Sequence, residues 1–238
     1  MRKVRALASL IGLAVAVIVL LAQTKETPVA TTPLDSLHGL EAVNGKAEIT
    51  TYRGRRAMHL LALPEQATPD HPANNASMLA IVTGSDFHNG TIEVEVAGAP
   101  RAGAPEGSRG FIGLLVRAQE HGARGENIYL RPTNGRADDQ LRRNHSTQYE
   151  SLPDFLWPRL RKENPGVYES YVDLDAGAWT KMKIVVSGTK AQLYVNGAEQ
   201  PCLIVNDLKL GDSHGQIALW APSSTDAYFS NLTVRSTD

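Results

Sequence analysis

The sequence predicts an all-β, antiparallel two-sheet sandwich, and three observations carry that reading. Short segments of four to eight residues alternate apolar and polar side chains with a period of two, the signature of half-buried strands. Each is bounded by Gly, Asn, Asp or Pro, as strands joined by turns are. Beyond the first 22 residues, no window of about eleven residues holds a helical apolar stripe, so crossover helices and a parallel sheet are not expected.

Read in order, the chain opens with Arg2, Lys3 and Arg5 ahead of an apolar run from Ala6 to Ala22, the pattern of an export segment. Its length is also near the lower limit of a membrane-spanning helix, so residues 1–22 read either as a cleaved signal or as a retained N-terminal anchor. Both place the folded part outside the cytoplasm: secreted, periplasmic or membrane-anchored. Residues 23–36 mix Thr, Pro and charge without periodicity and read as a flexible tether, with the domain spanning 37–238. At this length a single all-β domain is expected.

The segments that follow are AEITTYRG, RAMHLLAL, SMLAIVTG, GTIEVEVAG, FIGLLVRA, NIYLRP, YESYVDL, KMKIVVSG, AQLYVNG, QIALWA and YFSNLTV. In IEVEV, Ile92, Val94 and Val96 share a face opposite Glu93 and Glu95, so one face of that strand is wet. KMKIVVSGTKAQLYVNG reads as a hairpin turning at Ser187–Lys190, with Met182, Ile184, Val186, Leu193 and Val195 facing the core. The stretch AGAPRAGAPEGSRG, residues 97–110, reads as a mobile hairpin loop near the binding end.

Charge and cysteine content exclude several classes. The chain has 24 Lys and Arg and 25 Asp and Glu; without the three basic residues of the export segment, 21 face 25, a charge of about −4. That balance gives no basic face for duplex nucleic acid. A single cysteine, Cys202, excludes an internal disulfide and reads as a small buried hydrophobe. His121 and His145 lie too far apart for a zinc pair, and no phosphate-binding loop, dinucleotide fingerprint or nucleophile elbow is present.

The segment order from Leu40 to Val234 resembles the concanavalin A-like lectin and glucanase superfamily, a jelly-roll fold. The residues that carry this are GKAEITTYRGRRAMHL, FIGLLVRA, the hairpin WTKMKIVVSGTKAQLYVNG and the closing GQIALWAPSSTDAYFSNLTV. The hairpin and closing motifs are similar to those of laminin G-like domains and of 3-keto-disaccharide hydrolases. The glucan-cleaving members carry three alternating acidic residues on one strand; here only Glu93 and Glu95 come near that pattern, so laminarinase-type cleavage is not expected. What the hydrolase resemblance implies is an arginine closing the FIGLLVRA strand, Arg117, and a later Glu/Gln strand, here Gln148–Tyr149–Glu150, with Glu150 as the candidate acid or base. The lectin resemblance implies that Asp173 and Asp175 could contribute to a structural calcium site; a turn role is the plainer reading, and no cofactor is otherwise expected.

The densest candidate region is residues 127–150, NIYLRPTNGRADDQLRRNHSTQYE. If Ile128 and Leu130 pack inward, Asn127, Tyr129 and Arg131 project from the other face, where Arg117 could join them. The turn and loop then add Asn134, Arg142, Arg143, Asn144, His145, Gln148 and Tyr149, followed by Phe155 and Trp157. An aromatic ring beside guanidinium donors suits a sugar, because the ring covers a pyranose C–H face while the fork takes hydroxyls or a carboxylate. The plainer alternative pairs Arg142 and Arg143 with Asp138 and Asp139 on a solvated loop pinned by Phe155–Trp157. Three functions follow from these residues: a glycan-binding domain, a 3-keto-disaccharide hydrolase-like enzyme, or a laminin G-like protein-binding domain.

Overall fold

The computed structural model describes residues 29–64 and 77–237. The expected export segment and the first part of the tether fall outside the described residues. An eight-stranded sheet holds β1 (Val29–Thr32), β3 (Lys46–Tyr52), β4 (Arg55–Leu61), β6 (Asn89–Pro100), β11 (Thr180–Ser187), β12 (Lys190–Val195), β13 (Leu203–Val205) and β15 (Thr225–Thr237). A seven-stranded sheet holds β2 (Leu40–Val43), β5 (Ser77–Val82), β7 (Ile112–Gln119), β8 (Arg124–Leu130), β9 (Thr147–Leu152), β10 (Glu169–Ser170) and β14 (Gln216–Pro222). All the strand pairings are antiparallel, and the sandwich has the jelly-roll architecture.

The period-two pattern decides which side chains fill the space between the sheets. Met182, Ile184, Val186 and Leu193 pack inward from the expected hairpin, against Ile92, Val94 and Val96 of β6, whose partners in register include Ile184 and Met182. Met78, Ile112, Leu114, Val116, Ile128, Leu130 and Leu219 meet them from the other sheet. Glu93 and Glu95 point to the wet outer face and are held by Lys181 and Arg235 and by Arg55 and Asn231, respectively. Cys202 is half-buried against the core, its thiol pushed up to about 11 by burial.

Four features depart from the expectation. β1 pairs with β15, and Leu34 is fully buried, so the part of the expected tether from Val29 onward belongs to the sandwich rather than to a flexible linker. β2, β9 and β13 escaped the pattern: β9 because it is buried on both faces and therefore does not alternate, β2 and β13 because they are only four and three residues long. Two short helices, α1 (Gln140–Arg143) and α2 (Trp157–Glu163), interrupt the long insertion, each too brief to show a stripe.

The fourth is Arg117, which does not join the face of Tyr129 and Arg131. β7 shifts register between Val116 and Gln119, and Arg117 sits there at φ +53°. The bulge re-aims the side chain into the interior at the end of β7 remote from Ile112, about 17 Å along the strand. There the guanidinium, fully buried, donates to the carbonyls of His88, Gly188 and Gly211 and to Asn89 Oδ1 at 2.8–3.2 Å. It ties β6, the β11–β12 turn and the Gly211 loop to β7, a structural role. Arg117→Ala strands those carbonyls and is expected to lower stability by about 3 kcal/mol, read as a fall in the urea midpoint.

Candidate functional site

The site lies on the outer face of the seven-stranded sheet and follows from how β8 and β9 divide their residues. Ile128 and Leu130 enter the core, so Asn127, Tyr129 and Arg131 face outward, as the alternation predicts. In register, Asn127 lies opposite Glu150 and Tyr129 opposite Gln148, which adds Gln148 and Glu150 to the same face. On the other side Tyr129 is paired with Gly113, and Gly113 with Trp220. A Cβ at Gly113 would sit 2.6 Å from Tyr129 Cβ, so this glycine is what lets the tyrosine lie flat across the sheet. The result is a floor of Phe111, Tyr129 and Trp220, with ring centroids 5.3 and 4.8 Å apart.

Two segments wall this floor. The Gly-rich loop before β7 supplies Pro105 to Arg109, and the start of α2 supplies Leu156, Trp157 and Pro158. They enclose a cleft of about 390 Å³. At its base Glu150 is buried, and the Trp157 backbone N–H donates to its Oε1 at 2.6 Å, fixing the helix start and the carboxyl together. Burial pushes the Glu150 carboxyl above the usual carboxylate range; the Trp157 N–H, Arg131, Tyr129 and Asn127 oppose that shift only in part. Beside it, the amide of Asn127 is buried and makes no hydrogen bond of ordinary geometry, yet it lies near enough to Glu150 to favour the ionised carboxylate. A buried amide held only by so weak an interaction, on the wall of a cleft, has capacity for a further partner.

Arg131 closes one end of the floor. Its guanidinium donates to Gln148 Oε1 at 2.9 Å and to the Tyr129 hydroxyl at 3.3 Å, and lies within 6 Å of the rings of Phe111, Tyr129 and Trp157. Glu169, itself buried, anchors it at 3.5 Å and also takes a forked pair from Arg161 and a contact from His145. Past Trp157 and Phe111 the surface opens into a second cavity of about 740 Å³, lined by Arg109, Arg131, Arg142, His145 and Arg161.

Residues 49–235 match the 3-keto-alpha-glucoside-1,2-lyase-like domain family. The chain belongs to that family. The sequence has no match among curated proteins. In fold, this lyase-like domain is similar to the carbohydrate-binding module CBM66 from Bacillus subtilis, at 15% identity and TM-score 0.56 over 83% of this chain and 96% of that one. It is also similar to a Bacillus subtilis protein with a galectin-like fold, at 13% identity and TM-score 0.58, covering 89% and 97%. A third likeness is to the exoplasmic/lumenal domain of VIP36, solved with Ca2+ and Man3GlcNAc, at 10% identity and TM-score 0.53 over 88% of each chain.

Within the lyase-like domain, the structure brings Tyr129, Arg131, Asn134, His145, Gln148, Glu150 and Trp157 together around the two cavities and their supports. Three candidates fall elsewhere. Arg117 is the structural guanidinium described above. Tyr149 alternates away from the cleft into the core, where its hydroxyl donates to Glu126 and accepts from the Lys209 N–H. Arg143 lies outside both cavities, stacked over Tyr171 and bonded to its hydroxyl. The expected ion pairs with Asp138 and Asp139 do not form: the Arg142 side chain donates instead to Asn134 and Thr133. Asp173 and Asp175 both pair with Arg136 on the surface, the turn role of the plainer reading.

Sequence reasoning missed Arg109, Phe111, Trp220 and Glu169 as site residues, and left Asn127 without a role. Phe111 was legible as the outward residue just before β7; Arg109 reaches the site through loop placement, and Glu169 through the pairing of the two-residue β10 with Gln148 of β9. Because Glu150 is held above its unfolded pKa, its ionisation opposes folding. Stability is thus greater below the unfolded value and falls as pH rises through the raised one. Glu150→Gln is expected to raise the urea midpoint at pH 7, with the gain vanishing below about pH 4, where the wild-type carboxyl is protonated in both states.

Proposed function

We propose that the cleft binds a 3-keto-α-glucoside and that Glu150 moves the proton that cleaves it. The observation that carries this reading is the juxtaposition, at one point of an aromatic-floored cleft, of a buried carboxyl with a raised pKa and a buried amide that makes no hydrogen bond of ordinary geometry. Membership of the lyase-like family supports the substrate, and the likeness to the carbohydrate-binding module CBM66 and to the Man3GlcNAc-bound VIP36 domain supports a sugar on this fold. A cleft of about 390 Å³ has the volume of an ordinary small-ligand site.

The chemistry suits these groups. A ketone at C3 makes the C2 proton acidic. Ionised Glu150 takes that proton, and the electron pair forms an enolate to which the Asn127 amide can donate. The enolate collapses to a C1–C2 double bond as the C1–O bond breaks, and protonated Glu150 returns its proton to the departing oxygen, giving an unsaturated keto sugar and an alcohol. A carboxyl raised toward working pH serves both halves better than an ordinary one. Tyr129 and Trp220 would stack on the C–H face of the ring, while Arg131, held by Gln148 and Glu169, fixes the end of the floor. The export segment expected at residues 1–22 would put the reaction outside the cytoplasm. A flat apolar face at Phe155–Trp157 would have favoured a protein partner; Leu156 and Trp157 instead wall the cleft.

Incubation with 3-keto-α-glucosides, following release of the alcohol, is the test. The expected outcome is turnover that falls about a hundredfold to ten-thousandfold in Glu150→Gln and at least about tenfold in Asn127→Ala, mainly in kcat. Binding without turnover in the wild type would leave a sugar-binding domain, and undiminished turnover in Glu150→Gln would remove Glu150 from the reaction.

A further inference from the structure

The cleft assigned to the sugar does not end at Trp157. Gly107, Arg109, Phe111 and Trp157 line both cavities, so a ligand leaving the first passes between the Trp157 and Phe111 side chains into the second. The second cavity collects four guanidiniums, from Arg109, Arg131, Arg142 and Arg161, together with His145. Partly buried guanidiniums are ordinarily neutralised by carboxylates, because taking charge out of water is costly. Elsewhere on this chain guanidiniums have carboxylates at hand: Asp212 stands 3.7 Å from the buried Arg117, Arg55 holds Glu95, and the exposed Arg136 and Arg235 hold Asp173 with Asp175 and Glu93, respectively.

Here the carboxylates fall short. Glu169 alone answers Arg131, Arg161 and His145. Asp139, also on the lining, spends its Oδ1 on the backbone N–H of Arg142 at the start of α1. Arg142 donates its Nε and one terminal nitrogen to neutral oxygens, Asn134 Oδ1 at 3.0 Å and Thr133 Oγ1 at 3.2 Å. Arg109 has one weak contact, to the Ser108 carbonyl at 3.4 Å. Arg131 Nε is buried without any partner. Four guanidinium charges against two carboxylates leave an excess of about two positive charges, with His145 held neutral-leaning by burial. Burial and the neighbouring Arg142 and Arg131 together make the Arg109 charge less favourable than usual, the mark of cations crowded without a counter-ion.

We propose that this second cavity is an anion subsite: the glycoside taken by the cleft carries a carboxylate, sulfate or phosphate on the group attached to its reacting ring. The inference rests on the cleft being the sugar site and adds to it the substrate class. Guanidinium forks match such planar or tetrahedral oxyanions with paired charge-assisted hydrogen bonds. Arg109, at the junction of the cavities, is placed to meet the anion from the loop side, and Arg142 from the α1 side.

The test titrates the full chain with the 3-keto-α-glucosides of phenol, of 4-hydroxybenzoate and of 4-hydroxybenzenesulfonate, reading apparent affinity as Kd, or as KM where phenol is released. The anionic pair is expected to bind about tenfold tighter than the phenol glucoside, with the preference shrinking as salt is added. In Arg142→Gln the preference should drop to under about threefold, and Arg142→Lys should keep part of it; the phenol glucoside reports that each variant is folded. Equal affinity for all three ligands would overturn the anion subsite while leaving the sugar cleft in place. Failure of all three to bind would overturn the cleft reading, and the subsite with it.

Discussion

The structure depends on one constraint: β8 is buried on both faces. A strand at the middle of a sandwich usually has a core face and a wet face, but here every residue from Gly125 to Leu130 is hidden from solvent. Strand geometry then allocates the residues strictly. Ile128 and Leu130 go to the inter-sheet core, and Tyr129 to a second, smaller cluster on the outer face with Leu79, Ile81, Leu115 and Trp220, the face that Asn127 shares. Something must cover that outer cluster, and the loop before β7 and helix α2 do so. The cleft is the gap between those covers.

Placing polar groups in so dry a position has consequences that differ among the three buried glutamates. Glu126, on the core side of β8, accepts from the Tyr149 hydroxyl and the Leu210 N–H, so its oxygens are both used in holding β8, β9 and the Leu210 loop together. Glu169 is saturated by cations and serves as the common anchor for Arg131, Arg161 and His145. Glu150 takes the Trp157 N–H on one oxygen and lines the cleft beside Tyr129 and Asn127. Three carboxyls of one chemistry thus become a structural tie, a counter-ion and a candidate proton carrier. Their surroundings, not their type, make the distinction.

Several features of the site were open to reading in the sequence because strand periodicity fixes them. The outward facing of Tyr129 and Arg131 and the inward facing of Ile128 and Leu130 follow from a repeat of two; the Gln and Glu of the next strand are indicated only by the family resemblance, because β9 does not alternate. Tyr149 is misplaced by adjacency to Gln148 and Glu150, whereas the same repeat puts it on the opposite face, as found, and misleads only at Arg117. There a one-residue bulge breaks the repeat, and no local residue announces it.

The sequence by itself determined the sandwich, its core faces, the hairpin turn at Ser187–Lys190 and the strand that floors the site, since each is a local property written in alternation and turn residues. Tertiary structure decided which charges meet. Arg109, Arg161 and Glu169 are far from one another in sequence or lie on elements too short to show a pattern, and only the folding of loop and helix over β8, with the pairing of β10 to β9, brings them to one place. Alternation says which face a side chain takes. It carries no information on what a loop lays across that face, because a long loop is positioned by distant contacts rather than by its own residues.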